Sequence, residues 1–140
     1  MWPFLLCSYE KEDCMKFTES LRKNYDFQYV YRNGKSCVNK YLVMYVCRNQ
    51  KEGNRLGISV SKKVGNSVVR HHVKRLIKES YRLHEDCFEK GLDIVVVARV
   101  SANDRSYQEI ESALLHLGKI HKVLKEMSQG NGEENINRID

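Results

Sequence analysis

The chain of 140 residues lacks a long apolar run. A membrane-spanning helix needs about 20 consecutive apolar residues, and no stretch of this chain approaches that length. Residues 2–7 are apolar, but they are too few for the core of a signal peptide, have no basic leader and are followed by charged residues at 10–13. These absences argue against a membrane-spanning helix and indicate a cytoplasmic protein.

The cysteines lack any spacing that suggests a shared task. There are five of them, an odd number, and no two form a Cys-x-x-Cys pair of the kind that binds zinc. They are Cys7, Cys14, Cys37, Cys47 and Cys87. We interpret them as free thiols of a reducing compartment.

Acidic residues are almost missing from one segment, residues 61–82. It contains a single acid, Glu79, and seven basic residues: Lys62, Lys63, Arg70, Lys74, Arg75, Lys78 and Arg82. The six net positive charges of this segment equal the net charge of the whole chain, +6. Such a concentration of charge is typical of a site that binds a polyanion.

The basic segment also has helical order. A strand-like run at residues 56–60 is followed by a turn at Gly65, and Asn66 or Ser67 is a suitable N-cap for a helix that reaches about His84. At 100° per residue the apolar side chains share one arc, and the cations share the opposite arc with His71, while His72 lies at the boundary. The apolar arc contains Val69, Val73, Leu76, Ile77 and Ser80. A merely solvated charged face is the alternative, but the acids needed for i,i+4 pairing are nearly absent.

The remaining pattern predicts one domain over residues 15–127, with an N-terminal extension at 1–14 and a disordered tail at 128–140. Asn24 is a candidate cap for a short helix through Tyr31, and strands are predicted over residues 41–47, 55–61 and 93–100, the last one central. A capping box at Ser106 and Glu109 begins the last helix. Its predicted apolar face consists of Ile110, Ala113, Leu114, Leu117, Ile120 and Leu124. The order of elements indicates a small α/β sandwich with the basic helix packed on a sheet.

Two groups of side chains could carry chemistry. His71 and His72 could act as acid and base in RNA cleavage, but no nearby carboxylate would orient either ring, and adjacent helical residues point about 100° apart. Phe27 and Tyr31 share a predicted helix face, and Tyr41 and Tyr45 a predicted strand face, as expected of rings that stack on single-stranded RNA. Ordinary core packing is the alternative for these aromatics. The sequence predicts no catalytic residue and no metal site in the protein.

The segment Arg55-Leu-Gly-Ile-Ser-Val-Ser-Lys-Lys-Val-Gly-Asn-Ser-Val-Val-Arg-His-His-Val-Lys-Arg-Leu-Ile-Lys78 resembles the protein component of bacterial ribonuclease P. It follows that family's order of a strand, a Lys-Lys-x-Gly-Asn turn and a basic helix. Residues 21–34 and 93–99 add flanking matches, and the resemblance covers residues 15–125. It implies an α+β fold, a two-layer sandwich with three helices on a four-stranded sheet. It also implies a left-handed βαβ crossover, as in a related ribosomal-protein domain. The general preference of βαβ units is for the right-handed form.

The resemblance further implies an accessory subunit of a ribozyme that removes the 5′ leader from precursor tRNA. Catalysis would belong to the RNA subunit with Mg²⁺, the protein would bind no cofactor, and one protein would partner one catalytic RNA. The basic helix would dock on that RNA, and a cleft between the first helix and the sheet would hold the leader. A free-standing RNA-binding module and a self-sufficient nuclease remain the alternatives.

The family's site residues map onto this chain as follows. The leader would contact Phe27 and Tyr31 in the cleft, to which the strand pattern adds Tyr41 and Tyr45. The RNA-binding motif would comprise Lys62, Lys63, Asn66, Arg70, His71, His72, Lys74, Arg75 and Lys78. His71 and His72 depart from the family, in which Asn and Arg are usual. A histidine is mostly neutral at pH 7 and cannot grip phosphate with two parallel hydrogen bonds as arginine does, so this departure predicts weaker or more pH-sensitive binding.

Overall fold

The computed structural model describes residues 15–125. The predicted N-terminal extension and the predicted disordered tail therefore lie outside the described residues. Three helices run over Asn24–Asn33 (α1), Ser67–Leu83 (α2) and Tyr107–His121 (α3). Five strands run over Thr18–Ser20 (β1), Lys35–Val38 (β2), Leu42–Arg48 (β3), Asn54–Val60 (β4) and Leu92–Ala98 (β5).

The strands form one mixed sheet in the order β1-β4-β5-β3-β2. β4 is parallel to β1 and to β5, whereas β3 is antiparallel to both of its neighbours. The predicted central strand is confirmed, since β5 lies in the middle of the sheet and Ile94, Val95 and Val96 are fully buried. It ends at Ala98, two residues earlier than predicted, because residues 100–102 form a 3₁₀ turn.

The α+β class with three helices on a sheet is confirmed, but the sheet has five strands instead of four. The short strand β1 gave no alternating pattern that could predict it. It is fixed by a buried carboxylate, because Glu85 accepts hydrogen bonds from the backbone N–H groups of Lys16 (2.7 Å) and Phe17 (2.9 Å). The Thr18 hydroxyl also lies 2.8 Å from the hydroxyl of Tyr81 on α2.

The two faces of the sheet are covered differently. Alternate residues of β3 and β5, such as Met44 and Ile94, belong to a large core shared with α2 and α3. Val95 points to the other face, where α1 adds a small cluster with Leu21 and Val30. The helices thus lie on both faces of the sheet, with two on one side and one on the other.

Helix α2 connects the adjacent parallel strands β4 and β5 in a βαβ crossover, as the family resemblance implies. The left-handed sense of this crossover stays a prediction.

No helix within residues 15–125 combines the length and the apolar character needed to cross a bilayer.

Helix ends differ from the sequence prediction in two places. Lys23, not Asn24, is the N-cap of α1, and this helix extends to Asn33. The capping box of α3 is confirmed, with Glu109 N–H donating to Ser106 Oγ over 3.2 Å and Ser106 N–H donating to Glu109 Oε1 over 2.9 Å. The apolar face predicted for α3 is wrong at Ile120, which is 44% exposed. Leu124 follows the end of the helix and packs back against the core.

Candidate nucleic-acid interface

Asn66 is the N-cap of the basic helix α2, and its Oδ1 accepts a hydrogen bond from the backbone N–H of Val69 over 3.0 Å. The residue before the cap is Gly65, which allows the turn to pass very close to the first helical residues. A Cβ atom at Gly65 would lie 2.6 Å from Cγ1 of Val69. The predicted apolar arc is confirmed, since Val73 and Ile77 are buried and Val69 and Leu76 pack against the same core.

Tyr81 is a buried member of this arc that the sequence did not predict. Its hydroxyl accepts a hydrogen bond from Asn54 Nδ2 on β4 over 3.1 Å. A tyrosine is expected in a core only where its hydroxyl finds such a partner, and that partner comes from a strand distant in sequence.

The cations of α2 lie on the solvent face. Glu79, the single acid of the segment, pairs with Arg82, whose Nη2 lies 2.5 Å from Glu79 Oε2. The hydrogen bond from Arg82 lowers the pKa of Glu79 from its ordinary value. Among residues 61–82, five exposed basic residues form no ion pair with the described part of the chain: Lys62 and Lys63 in the turn before α2, and Lys74, Arg75 and Lys78 on α2. Their charge is therefore available to an external anion.

Arg70 is held differently from its neighbours. It is half-buried, and its Nε donates to the carbonyl oxygen of Gly65 over 3.1 Å. This bond fixes the plane of the guanidinium group against the turn. In the described part of the chain its two terminal nitrogens have no hydrogen-bond partner, so they can bind a phosphate in the two-pronged manner of arginine.

His71 and His72 are both exposed, and neither bonds to a carboxylate of residues 15–125. The histidine that does approach a carboxylate is His84, whose Nε2 lies 2.6 Å from Glu111 Oε2. The geometry thus gives a nuclease built on His71 or His72 no oriented base.

Three partly exposed aromatic rings lie together between α1 and the sheet, and we call this surface, where the family resemblance places the leader-binding cleft, the aromatic cleft. The ring centroids of Phe27 and Tyr31 are 6.3 Å apart, and those of Tyr31 and Tyr45 are 4.9 Å apart in an edge-to-face arrangement. All three residues are half-buried. Their inner edges pack on the small cluster around Val95, which is the core role weighed above, while part of each residue remains open to a ligand.

Gly57 forms the floor of this aromatic cleft beneath Phe27. A Cβ atom at Gly57 would lie 2.7 Å from the Cζ atom of the Phe27 ring. The glycine is needed here for the close approach of the ring, and any larger residue would push Phe27 away from the sheet.

Tyr41 does not belong to the aromatic cleft, and the prediction that it shares a strand face with Tyr45 is wrong. β3 begins at Leu42, so the alternation of the strand does not extend to Tyr41. Its side chain packs with the opposite core, and its hydroxyl donates to Glu109 Oε2 on α3 over 3.4 Å.

An ion-pair network that the sequence did not reveal joins α1 to the sheet beside the cleft. Arg55 on β4 binds Asp93 on β5 with two hydrogen bonds, of 3.0 and 2.7 Å, and its Nη1 lies 3.5 Å from Asp26 on α1. Asn49 Nδ2 also donates to Asp93 over 2.9 Å. The hydrogen bond to Asp93 raises the pKa of Arg55 above its ordinary value, which favours the charged guanidinium. Arg55 and Asp93 are partners across adjacent strands, which only the register of the sheet could have disclosed.

Within residues 15–125, no group of three or more His, Cys, Asp or Glu side chains is arranged to hold a metal ion. What the structure does assemble is a set of unpaired cations on α2 and the turn before it, and an aromatic cleft beneath α1 on the other face of the sheet. Cations of this kind suit an extended polyanion, and partly exposed rings suit unstacked bases.

Comparisons with known proteins agree with this description. The model of the family described as Ribonuclease P matches residues 15–122. The ribonuclease P protein component of Lachnoclostridium phytofermentans is 61% identical over 107 residues, which cover 76% of this chain and 92% of the relative. That of Alkaliphilus metalliredigens is 52% identical, covering 79% of this chain and 99% of the relative.

This chain is also similar to solved structures of ribonuclease P proteins. The ribonuclease P protein of Staphylococcus aureus superimposes with a TM-score of 0.71 at 42% identity, covering 76% of this chain and 97% of that one. The Thermotoga maritima protein gives a TM-score of 0.67 at 34% identity, covering 73% and 96%. The chain belongs to the ribonuclease P protein family.

Proposed function

We propose that this chain is the RNA-binding protein subunit of ribonuclease P, which helps a catalytic RNA to remove the 5′ leader from precursor tRNA. The observation that carries the proposal is the exposed basic surface of α2 and the turn before it, where five cations form no ion pair within residues 15–125. Positive charge of this density neutralises phosphate repulsion between two RNAs that must approach each other. Family membership supplies the partners, a catalytic RNA and its precursor tRNA substrate.

The two surfaces have separate tasks in this proposal. The basic face of α2, with Asn66, Arg70 and the two histidines, docks on the catalytic RNA. The aromatic cleft binds the leader through Phe27, Tyr31 and Tyr45, which adds affinity for the precursor that the mature tRNA lacks. Catalysis belongs to the RNA with Mg²⁺, and the protein supplies position and charge. A ratio of one protein per RNA and a cytoplasmic location stay predictions.

The decisive experiment combines the protein with precursor tRNA at low Mg²⁺ in the presence and absence of the catalytic RNA from the same organism. We expect leader removal only when protein and catalytic RNA are both present. Cleavage by the protein alone would establish the nuclease alternative. Binding of RNA without any stimulation of cleavage would instead indicate a free-standing RNA-binding module.

The salt dependence of binding tests the basic helix directly. We expect Lys74→Ala and Arg75→Ala each to reduce the slope of log K against log[salt] by about one phosphate contact, which is roughly 0.7–0.9. Lys51→Ala is the matched control, because Lys51 is exposed in the connection before β4, at the other end of that strand from Lys62. The measurement is a salt titration of affinity for the catalytic RNA. An unchanged slope in both variants would remove α2 from the interface.

The two histidines give the proposal a pH signature. Contact with phosphate favours the charged imidazolium form, so binding of the catalytic RNA should take up protons and tighten as pH falls from about 8 to 6. We expect His72→Arg to strengthen binding at pH 8 and to remove part of the pH dependence, since arginine stays charged. Flat binding by the wild-type protein across this range would show that neither histidine contacts phosphate.

A further inference from the structure

A second groove lies on the opposite side of the sheet from the aromatic cleft, between the start of β3 and α3. Its volume is about 550 Å³. The side chains that matter for its chemistry are those of Lys40, Tyr41, Gln108, Glu109, Ser112 and His116. The groove therefore combines one aromatic ring with a set of hydrogen-bonding groups.

Tyr41 is the centre of this second groove. Lys40 Nζ lies 5.5 Å from its ring centroid, and the guanidinium carbon of Arg105 lies 5.6 Å from it. The hydroxyl of Tyr41 is held by Glu109 over 3.4 Å. These contacts fix the orientation of the ring while leaving the residue half-exposed, as a stacking platform requires.

The charge around the second groove is positive. Its main acid, Glu109, is occupied by the N-terminal cap of α3 and by Arg105, whose Nη1 lies 3.6 Å away. Lys40 and Arg99 are both exposed on the rim, and Arg99 Nη1 is positioned by the carbonyl oxygen of Asn39 over 2.6 Å. Although Asp104 is also exposed, the cations outnumber the acids three to two: Lys40, Arg99 and Arg105 against Asp104 and Glu109.

The loop that follows β5 lies beside the basic turn that precedes α2. Ala98 pairs with Val60 at the ends of the parallel strands, so Arg99 follows β5 at the end where the chain leads from β4 to Lys62. Asn103 Nδ2 donates to the carbonyl oxygen of Val64 over 2.9 Å and ties the two loops together. The cations at the second groove and those of the basic turn therefore lie on neighbouring loops.

We propose that the second groove binds a single unstacked nucleotide of the catalytic RNA, with its base on Tyr41 and its phosphate at Lys40 and Arg99. Aromatic rings beside cations are the common means by which proteins bind single-stranded RNA. Gln108, Ser112 and His116 supply donors and acceptors for the edge of the base. This inference rests on the proposed function and extends the docking surface for the catalytic RNA beyond α2. The substrate leader is not the occupant, because the aromatic cleft lies on the other face of the sheet.

The test measures affinity for the catalytic RNA and, separately, affinity of the assembled complex for precursor tRNA. We expect Tyr41→Ala to weaken binding of the catalytic RNA at least fivefold, whereas Tyr41→Phe, which keeps the ring, should bind almost as the wild type does. Ser112→Trp, a change at an exposed helical position, should fill the groove and weaken binding to a similar extent. Ile120→Trp is its matched control, since Ile120 is exposed on the same helix and does not line the groove.

Each outcome decides the proposal. Unchanged affinity for the catalytic RNA in both Tyr41→Ala and Ser112→Trp would overturn it, and so would a loss confined to precursor tRNA, which would assign the groove to the substrate. Ser112→Trp keeps the test valid if Tyr41→Ala fails to fold, because it removes no core contact. Failure of the proposed function is distinguishable, since the wild-type protein would then show no binding of the catalytic RNA and no stimulation of cleavage.

Discussion

Replacement of Phe27 and Tyr31 by alanine is expected to weaken binding of precursor tRNA to the assembled enzyme by about 1–3 kcal/mol for each base that loses its stacking partner. Binding of mature tRNA should hardly change, because it has no leader to place in the aromatic cleft. The difference between the two substrates is the measurement, made with the same enzyme preparation at one salt concentration.

Tyr25→Ala and Tyr29→Ala are suitable controls for the cleft variants. Both tyrosines lie on α1 but are exposed, Tyr25 by 73%, and neither belongs to the cluster beneath the helix. Phe27→Leu separates packing from stacking, since leucine retains much of the apolar contact with Gly57 and Leu21. An equal loss for precursor and mature tRNA, or a loss of stability alone, would assign these rings to the core.

Replacement of Arg55 by leucine is expected to destabilise the fold by about 3 kcal/mol. Asp93 is only 2% exposed, and removal of one partner of a buried ion pair leaves an uncompensated charge. The double variant Arg55→Leu, Asp93→Leu should recover much of this loss, because removing both charges avoids that penalty. Urea unfolding of the four proteins of this cycle measures the effect.

Arg48→Leu is the matched control for the buried pair. Arg48 also lies on the sheet and pairs with Glu89 at 3.3 Å, but the two side chains are 66% and 40% exposed. An exposed pair of this kind contributes about 0–1 kcal/mol. Equal losses of stability in Arg48→Leu and Arg55→Leu would show that burial does not increase the contribution of the Arg55 network to stability.

The basic helix could be predicted because its information is local. The Gly65-Asn66 turn, the 3.6-residue period and the scarcity of acids all fall within about 20 residues of chain. The central strand was equally clear, since β5 is buried on both faces and its residues 94–98 are an unbroken apolar run.

The errors came from properties that depend on distant residues. Three residues of β1 carry no periodic pattern, and their position is set by Glu85, which is 69 residues from Lys16. The role of Arg55 depended on strand register, and the position of Tyr41 on where β3 begins. Ile120 was assigned to the core by its spacing, but it faces away from the buried side of α3 and is 44% exposed.

The anchoring of β1 by Glu85 also bears on how the molecule avoids self-association. A sheet edge with unpaired N–H and C=O groups invites pairing with another chain. β1 covers one side of β4 in parallel register from Thr18 to Ser20, so the longer and more apolar strand is not the edge. A single carboxylate two residues beyond α2 therefore keeps β4 covered, and we expect its loss to be expressed as poor solubility.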